Sequence, residues 1–237
     1  MPDRNRLPSN LSLVIVLSFA SLILLVLLRF LVAGRFSQGF LVWNLILAAV
    51  PVGCAQAGRV MAQRHEGTRA AALWTVGAFV AWLAFYPNAP YIFTDFIHVI
   101  RKSNLGEPAA SWLSELDLLW FDVIMNAAFA FVGHFLGLVS MYSMHGLLRR
   151  QFGRVAGWAL LAPAILLSGF GIHLGRFSRF NSWDLIFHPF QAMAAAFGTL
   201  SDPAALLFSL AFSFFIALTY LIFYLVKRGE PETRGLA

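Results

Sequence analysis

The sequence predicts an all-α, polytopic membrane protein. We read a bundle of about six spanning helices in one domain, residues 1–237, with interfacial or re-entrant segments on its outer face. Three observations carry this reading. Apolar residues make up 59% of the chain and charged residues 12%, about half the roughly 25% usual in soluble domains. Mean hydropathy is +0.74. Six apolar stretches recur along the chain, and about 20 apolar residues are needed to cross the hydrocarbon. Finally, basic residues gather on alternate connections, as expected of a multi-pass chain.

The first stretch, about 11–32, follows Arg4 and Arg6. Its run of about 20 apolar residues exceeds the 7–15 of a signal-peptide core, so it reads as a retained anchor. The second and third stretches, about 40–57 and 70–86, are short. The third leads into Tyr86-Pro87-Asn88-Ala89-Pro90, where two prolines bracket Asn88 and favour an abrupt exit from the helix. An outer connection, 87–117, follows, and within it Pro90–His98 reads as a short interfacial or re-entrant helix. The fourth stretch, about 118–148, is too long for one straight crossing and must tilt, kink or project. The fifth covers about 155–174. A second outer connection, 175–202, contains another apolar segment at 185–200. The sixth stretch, about 203–226, starts with Asp202 at the N-cap and Pro203 at the first helical position. The lone Cys54 excludes an intramolecular disulfide.

With six crossings and a cytoplasmic N-terminus, the inside segments carry 11 of the 17 basic residues. These are Arg4, Arg6, Arg59, Arg64, Arg69, Arg149, Arg150, Arg154, Lys227, Arg228 and Arg234. Arg29, Arg35, Arg101, Lys102, Arg176 and Arg179 fall outside. This bias places both termini in the cytoplasm. It also accounts for the net charge of +6 without nucleic acid as a partner. The outer side holds seven of the 11 acidic residues, namely Asp95, Glu107, Glu115, Asp117, Asp122, Asp184 and Asp202.

Asp122 stands out among these. A carboxylate in a spanning helix is costly, by about 2.5–3.5 kcal/mol at the helix centre on insertion scales, so it calls for a partner. At 100° per residue, Asp122, Asn126, Gly133, Gly137 and Ser140 fall within about 60° of one another. That stripe is a packing seam whose outer end, Asp122 and Asn126, is available to a ligand. Gly169, His173 and Arg176 share a face near the end of the fifth stretch. Arg176 is the expected partner of Asp122 or Asp184, or an anion-binding group for a phosphate-bearing head. Asp95 and His98, three residues apart, share a helical face.

We therefore expect Asp95, His98 and Asp122 to supply acid–base chemistry. Asn88, Asn126, His173, Arg176, Arg179, Asn181, Trp183 and Asp184 are expected to contact a substrate. The two imidazoles and two carboxylates at this level lack H-E-x-x-H or H-x-x-x-H spacing, so no metal is assigned. His134 and His145 lie on one face about 16 Å apart along the axis. That is a spacing of stacked haems, but no other span carries a facing histidine. Both read as ordinary buried histidines, and the sequence names no cofactor.

Three segments carry a resemblance. They are Tyr86-Pro87-Asn88-Ala89-Pro90-Tyr91-Ile92-Phe93-Thr94-Asp95-Phe96-Ile97-His98, Trp120-Phe121-Asp122, and Gly171-Ile172-His173-Leu174-Gly175-Arg176-Phe177 with Asn181-Ser182-Trp183-Asp184. Together they resemble the domain of unknown function 1361 family, over roughly residues 40–225. The resemblance implies a bacterial integral membrane protein of the inner membrane, and no activity. In that family pattern Tyr or another residue often stands where this chain has His173.

Three function classes stay open on this reading. One is an enzyme acting on, or a protein binding, a lipid-borne anionic substrate at the outer leaflet. The others are a structural or assembly subunit and a small transporter component. Membrane lipids and a lipid-borne or anionic small molecule are the expected partners.

Overall fold

The computed structural model describes residues 9–34, 36, 38–102, 114–180 and 182–229. Arg4, Arg6, Arg35, Glu107, Asn181 and Arg234, used in the reading above, lie outside the described residues. Among the described residues all regular structure is helical. The elements are α1 (Ser9–Ala33), α2 (Gly39–Arg64), α3 (Arg69–Phe85), α4 (Asn88–Tyr91), a 3₁₀ turn (Ile92–Asp95), α5 (Phe96–Lys102), α6 (Glu115–Phe152), α7 (Arg154–Phe177), α8 (Asp184–Phe187), α9 (Pro189–Leu200) and α10 (Pro203–Gly229). Six segments are long and apolar enough to cross a membrane: Leu13–Ala33, Gly39–Arg64, Arg69–Ile100, Glu115–Phe152, Arg154–Phe177 and Pro203–Gly229. The chain is a multi-pass membrane protein.

The third of these segments extends past residue 86, where the sequence reading ended it. Tyr86 and Pro87 keep right-handed helical dihedrals, with φ/ψ of −56°/−38° and −55°/−27°. The Ala89 and Tyr91 amides donate to Tyr86 and Pro87 carbonyls at 3.0 Å each. The prolines thus tighten the helix locally, and neighbouring helices make the loss of two N–H donors tolerable. Residues 88–100 run on along α6 as the upper part of a bent span.

α6 is the central element. Ser114 and Asp117 form a capping box at its start, fixing the orphan amides of the first turn. At 38 residues it measures roughly 57 Å, well beyond a hydrocarbon core of about 30 Å. Its polar and small stripe is a seam, as the sequence suggested. A Cβ on Gly133 would collide with Ile92, and one on Gly137 would sit 3.0 Å from the Ala89 side chain. Small residues let the bent third span lie against α6 at close range. Further along, Trp82 Nε1 donates to Ser140 Oγ at 3.2 Å.

Two packed clusters result. One joins α1, α2, α4 and the 3₁₀ turn to the first half of α6 through Leu22, Val26, Leu41, Leu45, Ala89, Ile92, Met125 and Phe129. The other joins α3, α7 and α10 to its second half through Trp82, Tyr86, Met141, Met144, Tyr220 and Tyr224. The outward faces of α1, α3 and α10 expose Leu13, Leu31, Leu73, Leu207 and Phe214, as helices facing lipid do. α7 and α10 touch closely where Gly169 meets the Ser209 carbonyl and Ser213.

Candidate functional site

Beside α6, the helices leave a cavity of about 860 Å³ between α2, the bent third span, α7 and α9. Its walls differ in character. Phe40, Trp43, Leu47, Val80, Leu83, Leu167, Phe170, Met193 and Ala196 make an apolar surface, while Asn44, Asn88, Asp95, His98, Arg176 and Ser182 supply polar groups. The polar groups gather because α2 starts, α5 and α7 end, and α8 begins at one end of the bundle.

Asp95 is the centre of this group. Its residue is only 2% exposed. Asn44 Nδ2 donates to Oδ2 at 2.7 Å. Oδ1 faces the Arg176 Nη1 at 3.6 Å, which is an ion pair beyond hydrogen-bonding distance. Arg176 makes no hydrogen bond among the described residues, although its side chain is 83% buried. A guanidinium carries five N–H donors, and Arg176 lines the cavity. Asn88 Nδ2 is bonded to the Phe85 carbonyl and to Ser182 Oγ, at 2.9 Å each. This ties the α3–α4 junction to the residues that follow α7. Gly175 admits the Tyr91 ring here, since an added Cβ would lie 3.3 Å from Tyr91 Cε2. His98 lines the same cavity and packs on Phe40 at 4.8 Å between ring centroids.

Asp122 is elsewhere. Its carboxylate is held by Arg29 through both oxygens, Nε to Oδ1 at 3.0 Å and Nη2 to Oδ2 at 3.1 Å. The side chains are 1% and 6% exposed. The sequence reading offered Arg176 as a partner for Asp122 or Asp184 and expected Asp95 and Asp122 to act together. Asp95 and Arg176 do share the cavity, but Asp122 does not line it. Asn126 donates to the Asp122 carbonyl at 2.8 Å along its own helix, one turn below the ion pair.

The remaining expected residues divide similarly. His173 turns towards α10, stacked on Phe177 at 4.6 Å and edge-on to Phe208 at 5.5 Å. The two carboxylates and two imidazoles that the sequence put at one level therefore do not converge. Trp183 packs near Trp43 at 6.4 Å and Phe85 at 5.9 Å, beside the cavity wall. Asp184 opens α8 just after it. Arg179 is exposed, with a left-handed φ of 58°. Asn181 is outside the described residues. Sequence reasoning missed Asn44 and Arg29. Arg29 was visible as the one charged side chain of the first apolar stretch, and Asn44 as one of two amide side chains of the second.

The two histidines of α6 are held as separate packing groups. His134 Nε2 bonds Thr219 Oγ1 at 2.9 Å and its ring stacks on Phe215. His145 Nδ1 bonds the Tyr220 hydroxyl at 2.6 Å and its ring meets Trp158 edge-on.

A family profile described as protein of unknown function (DUF1361) matches residues 43–219, about three quarters of the chain. The chain belongs to this family. Asn44, Asn88, Asp95, His98, Asp122, Arg176 and Ser182 all lie within the DUF1361 region, whereas Arg29 and the whole of α1 precede it. No curated protein and no solved structure matches the chain.

Proposed function

We propose that this DUF1361 protein binds an amphipathic, lipid-borne ligand in the cavity beside α6. The anionic group of the ligand is taken by Arg176, and its chain lies along the apolar wall from α2, α3, α7 and α9. The observation that carries this reading is Arg176 itself. It is a largely buried guanidinium, lining a space of about 860 Å³, whose ion pair among the described residues is with a carboxylate at 3.6 Å. Guanidinium is well suited to bidentate contact with phosphate or carboxylate. The volume falls in the roughly 300–1,000 Å³ range of ligand pockets.

Other features support binding over the two alternatives. A purely structural polar cluster would be closed and fully paired, as Arg29–Asp122 is and the Asp95–Arg176 group is not. A transporter needs a polar route through the bundle, and below Asn126 the α6 stripe is filled by Ile92 and Ala89. Asp95 and His98 are the groups on the cavity wall that would move protons if the bound head were turned over. The asymmetry of basic residues supports an orientation with the cavity at the extracytoplasmic side of a bacterial inner membrane and both termini cytoplasmic.

The test is native mass spectrometry of protein released from lipid discs. Wild-type protein is expected to retain a lipid-sized mass that Arg176→Gln loses. Equal retention by the two proteins would sink the reading.

A further inference from the structure

The charges facing the cavity constrain the head of its ligand further, on the reading just given. Among the described residues, the acidic and guanidinium side chains lining it are one carboxylate, Asp95, and one guanidinium, Arg176. They lie near each other but are not locked together. At 3.6 Å the pair lacks the two parallel hydrogen bonds that Arg–carboxylate contacts frequently make. Arg29–Asp122 in the same protein makes both, at 3.0 and 3.1 Å. A carboxylate offers about four lone-pair sites, and Asn44 fills one of Asp95's. Both ions therefore keep unused hydrogen-bonding capacity at a place removed from bulk water.

A head group carrying only negative charge would satisfy Arg176 but set a second anion beside the buried Asp95. Like charges in such a site repel with little screening. A head carrying only positive charge would reverse the conflict. A head with both charges satisfies both ions and leaves the net charge of the site unchanged. The cationic part must also donate hydrogen bonds, because what Asp95 has to offer is lone pairs. A primary ammonium has three donors and a quaternary ammonium has none.

We propose that the ligand is a zwitterionic lipid whose phosphate sits on Arg176 and whose primary ammonium sits on Asp95. Ser182, whose Oγ accepts from Asn88, has its hydroxyl proton available for a phosphate oxygen.

The experiment uses the full chain in lipid discs made separately with phosphatidylethanolamine, phosphatidylglycerol or phosphatidylcholine of identical acyl chains, read by native mass spectrometry. Wild-type protein is expected to retain phosphatidylethanolamine about tenfold better than the other two, the ratio for loss of one charge-assisted hydrogen bond. Asp95→Asn is expected to keep lipid retention while abolishing the preference over phosphatidylglycerol. If the wild type retains phosphatidylglycerol or phosphatidylcholine as well as phosphatidylethanolamine, and Arg176→Gln still loses them, the zwitterion proposal is overturned while the binding reading stands. If no lipid is retained in an Arg176-dependent way, both fall. The wild-type comparison decides the matter even if Asp95→Asn does not fold.

Discussion

Arg29 of α1 grips Asp122 of α6 through two nearly equal hydrogen bonds, 3.0 and 3.1 Å long, in a place almost closed to solvent. The pair fastens the first spanning helix, all of which precedes the DUF1361 region, to the central one. Removing one partner of a buried ion pair leaves a charge with no counterion. Replacing both with apolar residues avoids that penalty.

Arg29→Met should therefore destabilise the protein by about 3–5 kcal/mol. The double variant Arg29→Met with Asp122→Leu should recover most of that loss. Unfolding in mixed micelles with increasing denaturing detergent measures both, and additive effects of the two substitutions would contradict a direct pair.

The α7–α10 contact makes a sharper steric prediction. Gly169 faces the Ser209 backbone and Ser213 so closely that any Cβ must displace the other helix. Gly169→Val should cost about 1–3 kcal/mol or more, as overpacked sites do. Gly77→Val, at a lipid-facing position with nothing near its missing Cβ, should lower thermal stability little. Melting curves of the two variants in one detergent give the comparison.

Asn44 and Asn126 look alike in sequence, each an amide in an apolar helix, but their partners differ. Asn44 donates to the buried Asp95 carboxylate, so Asn44→Leu should cost about 1.5–3 kcal/mol. Asn126 donates to its own helix backbone, and its Oδ1 is buried with no partner among the described residues. Asn126→Leu should be close to neutral or stabilising. The same unfolding assay ranks them, and an equal loss for both would contradict these partner assignments.

The proposed orientation is open to direct labelling. In a Cys54→Ser background, cysteine at exposed His188 should react with a membrane-impermeant maleimide added to intact cells. Cysteine at exposed Gly67 should react only after the cells are opened. The reverse pattern would invert the topology.

Much of the architecture could be read from the sequence because the length of an apolar stretch is itself the physical requirement for crossing a bilayer. The third span shows where local reasoning stops. Pro87 and Pro90 disfavour helix on intrinsic grounds, but the helical path at Tyr86 and Pro87 persists because α6 offers Gly133 and Gly137 as a groove to lie in. The candidate site was legible in level but not in azimuth. Sequence placed Asp95, Asp122, His173 and Arg176 near one end of the bundle. It could not say that Asp122 looks towards α1, His173 towards α10, and only Asp95 and Arg176 into a common space. Which helices neighbour one another depends on packing between segments far apart in the chain, and no periodicity within one segment encodes it.

The sequence separation of 93 between Arg29 and Asp122 also has a consequence in time. At 5–20 residues per second, a ribosome takes roughly 5–20 s to make that interval. During it α1 is complete while the carboxylate that will hold its arginine is not yet made. Arg29 lies within four residues of the helix end at Ala33, close enough for a long side chain to reach the head-group layer while it waits. We expect α1 to enter the bilayer as an independent helix, and α6 to fix it in the bundle only when Asp122 meets Arg29.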